Sequence, residues 1–195
     1  MFNARLFKLS IPILCLGMSA CASVAPHAEY VITPSYILTE GVSKAPFGGE
    51  VSSDILNYTR AAPNVGTAGK LVGNGVAEAQ QLGFKLIIDL RRPDEGGVAE
   101  EIAEASRLGI AYENVPLAKD ATAWDQVERI EALIADRSNY PVLIHCGSAN
   151  RAGAVWALYR TRQGVPNLIA IEEGRTVGLK SREVQVRELL GLPAL

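Results

Sequence analysis

Between Phe84 and Ile144, three short apolar segments alternate with apolar stripes at helical spacing, and that alternation leaves few folds open. Phe84 to Leu90 (FKLIIDL) is a near-continuous apolar run, the pattern of a strand buried on both faces. Ile110 to Leu117 reads as a second strand, and Pro141 to Ile144 as a third. Val72, Val76, Ala79 and Leu82 precede the first strand at helical spacing, with Gly83 as a stop. Val98, Ile102, Ala105 and Leu108 form a second stripe closed by Gly109. A third comprises Trp124, Val127, Ile130, Leu133 and Ile134, opened by a capping-box pattern from Thr122 to Asp125. Helical sequence resumes at Ala152 and stops near Gly164, and two short helices over 167–175 and 181–190 follow. Strands and helices in this order predict an α/β fold, a mostly parallel sheet flanked by helices on both faces.

A chain of 195 residues with 48% apolar content suits one buried core. The net charge is −2, with no basic run beyond the N-terminus, so no nucleic-acid partner is expected. Two His and three Cys are too scattered for a closed zinc site, and neither metal nor organic cofactor is expected.

The first residues read as a targeting segment. Arg5 and Lys8 precede Leu9 to Met18, a short apolar run interrupted by Pro12, which suits a signal peptide better than a membrane span. Met18-Ser19-Ala20-Cys21 resembles a bacterial lipobox, which implies lipidation of Cys21; the alternative is secretory cleavage after Ala25. Residues 1–21 are thus expected to be a signal peptide with lipobox. Residues 22–45, which include His27, are expected to be a tether, and 46–195 the folded domain. The protein is expected to be exported to the periplasm and held at the membrane by a lipid anchor. Ala22, where Asp would retain a lipoprotein, implies the outer membrane.

Processing leaves Cys146 as the single thiol. It follows the last apolar strand directly, at the carboxyl end, where ligands sit in open parallel sheets. Gly147, Ser148, Ala149 and Asn150 come next, then Arg151. Small and turn-forming residues let the backbone curl so that its N–H groups converge on one anion. The helix that follows adds its positive end. A thiol there is expected as the thiolate, the nucleophilic form. Arg151 offers a two-pronged donor to oxyanions above the sulfur. The substrate is therefore expected to carry an anionic group.

The segment His145-Cys146 to Arg151 resembles the signature loop of cysteine phosphatases, with four intervening residues where tyrosine and dual-specificity phosphatases have five. Together with Leu82–Glu95 and Leu108–Pro116, it is similar to the phosphatase-like family of beta-lactamase-hydrolase-like proteins. The resemblance implies a cysteine-phosphatase-like fold and hydrolysis of phosphate monoesters through a cysteinyl-phosphate on Cys146. Ala152 and Gly147 depart from the pattern, which commonly has Ser or Thr and a basic residue there.

Asp120 resembles the general acid of dual-specificity phosphatases but sits one residue further from Pro116, and a turn role ahead of the helix is the alternative; Asp94 and Glu95 are weaker candidates. His145 is expected to face away from the thiol and to support the loop through a hydrogen bond. Either Arg91 or Arg92 could extend the anion field or form a salt bridge. Trp124 and Trp156 are expected in the core. A rhodanese-like sulfurtransferase, carrying a persulfide on Cys146, is the rival enzyme, because a shorter loop suits a smaller group. A non-catalytic anion-binding envelope lipoprotein is the third reading.

Overall fold

The computed structural model describes residues 51–118 and 124–195. Five strands form one sheet: β1 (Thr59–Ala62), β2 (Val65–Ala68), β3 (Leu86–Asp89), β4 (Ala111–Asn114) and β5 (Val142–His145). Their order is β1-β2-β5-β3-β4. Only β1 runs antiparallel, against β2; β2, β5, β3 and β4 pair in parallel. The expected mostly parallel α/β sheet is therefore present. The β1–β2 hairpin is an addition that sequence patterning missed, because its strands are four residues long and rich in small residues.

The helices are α1 (Gly75–Gln81), α2 (Val98–Leu108), α3 (Trp124–Ala135), α4 (Asn150–Arg162), α5 (Asn167–Thr176) and α6 (Glu183–Leu189). Side chains alternate across β5. Val142 and Ile144 pack with α3, α4 and residues of α5 and α6, while Leu143 packs with α1 and α2 on the other face. All four β5 residues are buried, so the strand is expensive to expose and sits at the centre of the sheet. Trp156 is buried in the first of these clusters, and Trp124 packs at its edge.

Helix α1 begins at Gly75 and leaves Val72 outside it, partly exposed. Helix α4 starts two residues earlier than its apolar pattern suggests, at Asn150, which brings the end of the loop into its first turn. Gly153 and Gly174 bring α4 and α5 together: a Cβ on Gly153 would lie 2.7 Å from the Gly174 carbonyl oxygen. The segments 1–21 and 22–45, Cys21, His27, Asp120 and Thr122 lie outside the described residues; Asp125 stands in the first turn of α3.

Candidate active site

Cys146 is the first residue after β5 and is buried. Its N–H donates to the Ala68 carbonyl at 3.2 Å, which continues the β2–β5 ladder by one residue and fixes Cys146 to the sheet. Ser148 pairs with Gly69 in an isolated antiparallel bridge, so the loop is fastened to the neighbouring strand as well. Ala149 turns the chain into α4 with φ 66°, a left-handed conformation costing an L-residue roughly 1–2 kcal/mol. Such strain persists only where surroundings impose it. Gly178 is one of those surroundings: with φ 115° and no side chain, it lies where a Cβ would come 2.5 Å from the Ala149 methyl. The N–H groups of Asn150, Arg151 and Ala152 precede the first bond of the helix, from Gly153 N–H to the Ala149 carbonyl. No side chain caps that end. A helix start of this kind favours an anion.

Arg151 lies beside the sulfur, and a Cβ on Gly147 would be 3.5 Å from its Nη2. Glu95 accepts from Nη1 at 2.6 Å and from Nη2 at 2.7 Å, and the Leu90 carbonyl accepts from Nη1 at 3.1 Å. Burial works against the guanidinium charge, but Glu95 and the neighbouring sulfur outweigh it and raise its pKa. The hydrogen bonds from Arg151 hold the Glu95 carboxyl down at about 2. Glu95 is therefore ionised at neutral pH and has no proton to donate. As a candidate acid it is corrected to the group that aims Arg151. Asp94 is an exposed partner of Arg92, bonded at 2.8 and 3.1 Å, and the Arg92 contact lowers its pKa too. It is no better an acid.

His145 points to the opposite face from Cys146, as expected. Its Nδ1 donates to the Gly69 carbonyl at 3.2 Å, since a carbonyl can only accept. The loop is thus supported indirectly, through the residue that pairs with Ser148. The other ring nitrogen, Nε2, is buried with no hydrogen-bond partner, 3.3 Å from Glu101 Oε2 and 3.6 Å from Asp89 Oδ1. Burial drives the imidazole down to about 4 and the Glu101 carboxyl up to about 7. Arg91 is fully buried between the two carboxylates, 2.9 Å from Asp89 and 2.7 Å from Glu101. Its role is a buried ion pair and not an extension of the anion field.

Asp89, Glu101 and His145 bring three potential metal-ligand atoms within 4.8 Å of one another. Arg91 already occupies both carboxylates, so a divalent ion would have to share them with the guanidinium and would turn the buried group's net charge from −1 to +1. One proton balances it: Asp89 with Arg91, and a protonated Glu101 donating to His145 Nε2. This cluster fits a proton better than a metal.

On the Cys146 side, a cavity of about 460 Å³ opens beside the loop. Ser148, Asn150 and Arg151 line one wall, Arg92 and Glu95 a second, and Ser181, Arg182 and Gln185 a third. Asn150 ties the first wall to the third. Its Oδ1 accepts from the Lys180 and Arg182 N–H groups at 2.8 and 3.3 Å, and its Nδ2 donates to the Ser181 hydroxyl at 2.8 Å. The third wall was not foreseen from sequence, although Lys180-Ser181-Arg182 is a polar interruption between two helical stretches.

Comparison with known proteins agrees with this geometry. The family model of the beta-lactamase hydrolase-like protein, phosphatase-like domain, matches residues 57–163, more than half of the chain. No curated protein sequence matches significantly. Among solved structures, the chain resembles a DUF442 phosphatase-like protein of Shewanella putrefaciens CN-32 at 21% identity and TM-score 0.59, over 71% of this chain and 91% of that one. It also resembles the catalytic domain of the PP-IP phosphatase Siw14 from S. cerevisiae, at 16% identity and TM-score 0.60, over 70% and 85% of the two chains. TpbA of P. aeruginosa aligns at 24% identity and TM-score 0.57, over 71% and 88%. At these identities the likeness is one of fold.

Proposed function

The chain belongs to the phosphatase-like domain family of beta-lactamase hydrolase-like proteins, and from that premise we propose that it is a cysteine-dependent phosphatase acting on phosphate monoesters. The observation that carries the reading is the juxtaposition of Cys146, fixed at the end of the central strand, with Arg151, fixed by Glu95 at the start of α4. Phosphorylated ligands also occur among proteins of this fold: TpbA has been solved with pTyr, and Siw14 is a PP-IP phosphatase.

In the proposed reaction the Cys146 sulfur attacks phosphorus. An S–P bond forms, the P–O ester bond breaks, and Asp120 gives its proton to the departing oxygen. Water then attacks the cysteinyl-phosphate, Asp120 takes its proton, and the thiolate leaves with orthophosphate as product. Loop N–H groups and Arg151 bear the charge on the equatorial oxygens throughout. No metal or organic cofactor enters.

Two assays of the purified protein test this together: release of nitrophenol from p-nitrophenyl phosphate, and formation of thiocyanate from thiosulfate and cyanide. Phosphate-ester turnover that Cys146→Ser lowers by on the order of 10³-fold or more, with a phosphorylated Cys146 trapped by acid quench, supports the phosphatase. Turnover of thiosulfate alone replaces it with sulfur transfer.

We further infer that the domain is exported and anchored in the outer membrane through a lipidated Cys21. Fatty-acid labelling that marks the wild type and spares Cys21→Ala supports the anchor; an unlabelled, soluble wild type overturns it.

A further inference from the structure

Resting on that phosphatase reading, we propose that Arg182 is a positioning residue for the proton transfer, holding the backbone at Ala118, two residues before Asp120, at a fixed place beside the signature loop. Leu90, just beyond β3, is the first fixed point. Its carbonyl accepts from Arg151 Nη1 and from the Leu117 N–H, each at 3.1 Å. One oxygen thus locates both the arginine beside the sulfur and the chain that leaves β4. Leu117 is also buried, which helps to keep it there. Ala118 is exposed, and its side chain gives no such anchor. Its carbonyl accepts from Nη2 of Arg182.

Arg182 suits this task because it is itself held from two sides. It is largely buried, and its N–H donates to Asn150 Oδ1 at 3.3 Å. Asn150 stands between Ala149 and Arg151 in the loop, and it holds Lys180 and Ser181 as well. On the other side, the buried Glu183 accepts from Arg175 at 2.6 and 2.7 Å and from Arg187 at 2.8 Å. The start of α6 is therefore tied to α5. Arg182 thus bridges the loop that bears Cys146 and Arg151 to the backbone at Ala118. From Ala118 the chain reaches at most about 7 Å to the Asp120 Cα. The acid's range is set from that point, and a displacement of about 1 Å can cost on the order of 10²-fold in rate.

The experiment compares glycerol 3-phosphate, an alkyl ester, with p-nitrophenyl phosphate on wild type, Arg182→Met and Arg182→Lys. Methionine keeps an apolar stem and donates nothing. The ratio of alkyl to aryl kcat/KM should fall roughly tenfold to a hundredfold in Arg182→Met. Arg182→Lys keeps a charged donor and should recover most of it. When Arg182→Met is combined with Asp120→Asn, the ratio should equal that of Asp120→Asn alone, since two changes acting through one group do not add. Amide exchange at Leu117 should quicken in Arg182→Met while that at Cys146 stays as in wild type. If Arg182→Met does not fold, Arg182→Gln, shorter and uncharged, is read in its place.

A level ratio, an additive double variant, or unchanged exchange at Leu117 overturns the proposal. So does an equal loss on both esters with weaker vanadate inhibition, which would make Arg182 a wall of the anion site. If wild type hydrolyses neither ester, the phosphatase reading fails and takes the proton-transfer role with it. Turnover with a level ratio removes the role of Arg182 alone.

Discussion

Glu95 takes both terminal nitrogens of Arg151, at 2.6 and 2.7 Å, across 56 residues of sequence. An arginine facing a sulfur and an anion could adopt many rotamers; one held at Nη1 and Nη2 keeps Nε and the remaining Nη2 hydrogen for a ligand. The β3–α2 segment thus contributes to the site without touching the reacting atoms.

Glu95→Gln is accordingly expected to lower kcat/KM about tenfold for aryl and alkyl phosphates alike, and to raise the inhibition constant for vanadate similarly. A proton donor would behave otherwise, harming poor leaving groups and sparing good ones. The stability profile gives an independent reading. The folded pKa of Glu95, about 2, lies below the ordinary carboxylate value of 4.5. Its stabilising contribution is therefore complete above about pH 4.5 and is lost as pH falls towards 2. Urea midpoints should drop over that interval in the wild type and drop less in Glu95→Gln. Identical profiles would remove Glu95 from this role.

Beneath the loop, Glu101 and His145 make a second prediction, with two opposite signs. In the folded protein burial holds Glu101 near 7 and His145 near 4, so between those values the pair keeps one proton, on Glu101. Unfolded, it also keeps one proton between about pH 4.5 and 6.5, on the histidine. Proton counts match, and the pair contributes little slope to stability across that range. Glu101→Gln leaves a histidine that must stay neutral when folded, so stability should fall as pH drops from 6.5 towards 4. His145→Gln leaves a carboxyl that resists ionisation, so stability should fall as pH rises from 4.5 towards 7. Each slope approaches 1.4 kcal/mol per pH unit, about one proton's worth. Denaturant titrations of both variants measure it, and parallel profiles would refute the shared proton.

Much of the architecture was legible because the strands that matter are apolar on both faces. Leu86, Ile87, Ile88 and the β5 residues are buried, and a sequence pattern registers that directly. The thiol, the small loop residues and Arg151 were legible too, being contiguous. The hairpin from Thr59 to Ala68 was not, because small residues in four-residue strands resemble a loop. Nor could sequence distinguish Arg91 from its neighbour Arg92. One is buried against Asp89 and Glu101 and the other faces the cavity, a difference set by side-chain partners on other elements. Glu95 was noticed as a carboxylate near a strand end, but its partner lies on α4, and only the fold joins them.

The last prediction concerns the proton that leaves with the product. With Glu95 committed to Arg151 and Asp94 to Arg92, Asp120 is the acid left from the sequence. An alkoxide is a poor leaving group, so a placed acid contributes on the order of 10²–10⁴ in rate. Asp120→Asn should therefore cripple alkyl phosphates by that order and affect p-nitrophenyl phosphate much less, because nitrophenolate departs unaided. Arg151→Lys should harm both equally, keeping the charge and losing the planar fork. The measured quantity is the ratio of alkyl to aryl kcat/KM in each variant. It should fall for Asp120→Asn and stay level for Arg151→Lys. If the ratio does not move in Asp120→Asn, the acid lies elsewhere, and Asp125, in the first turn of α3, is the next position to test by the same ratio.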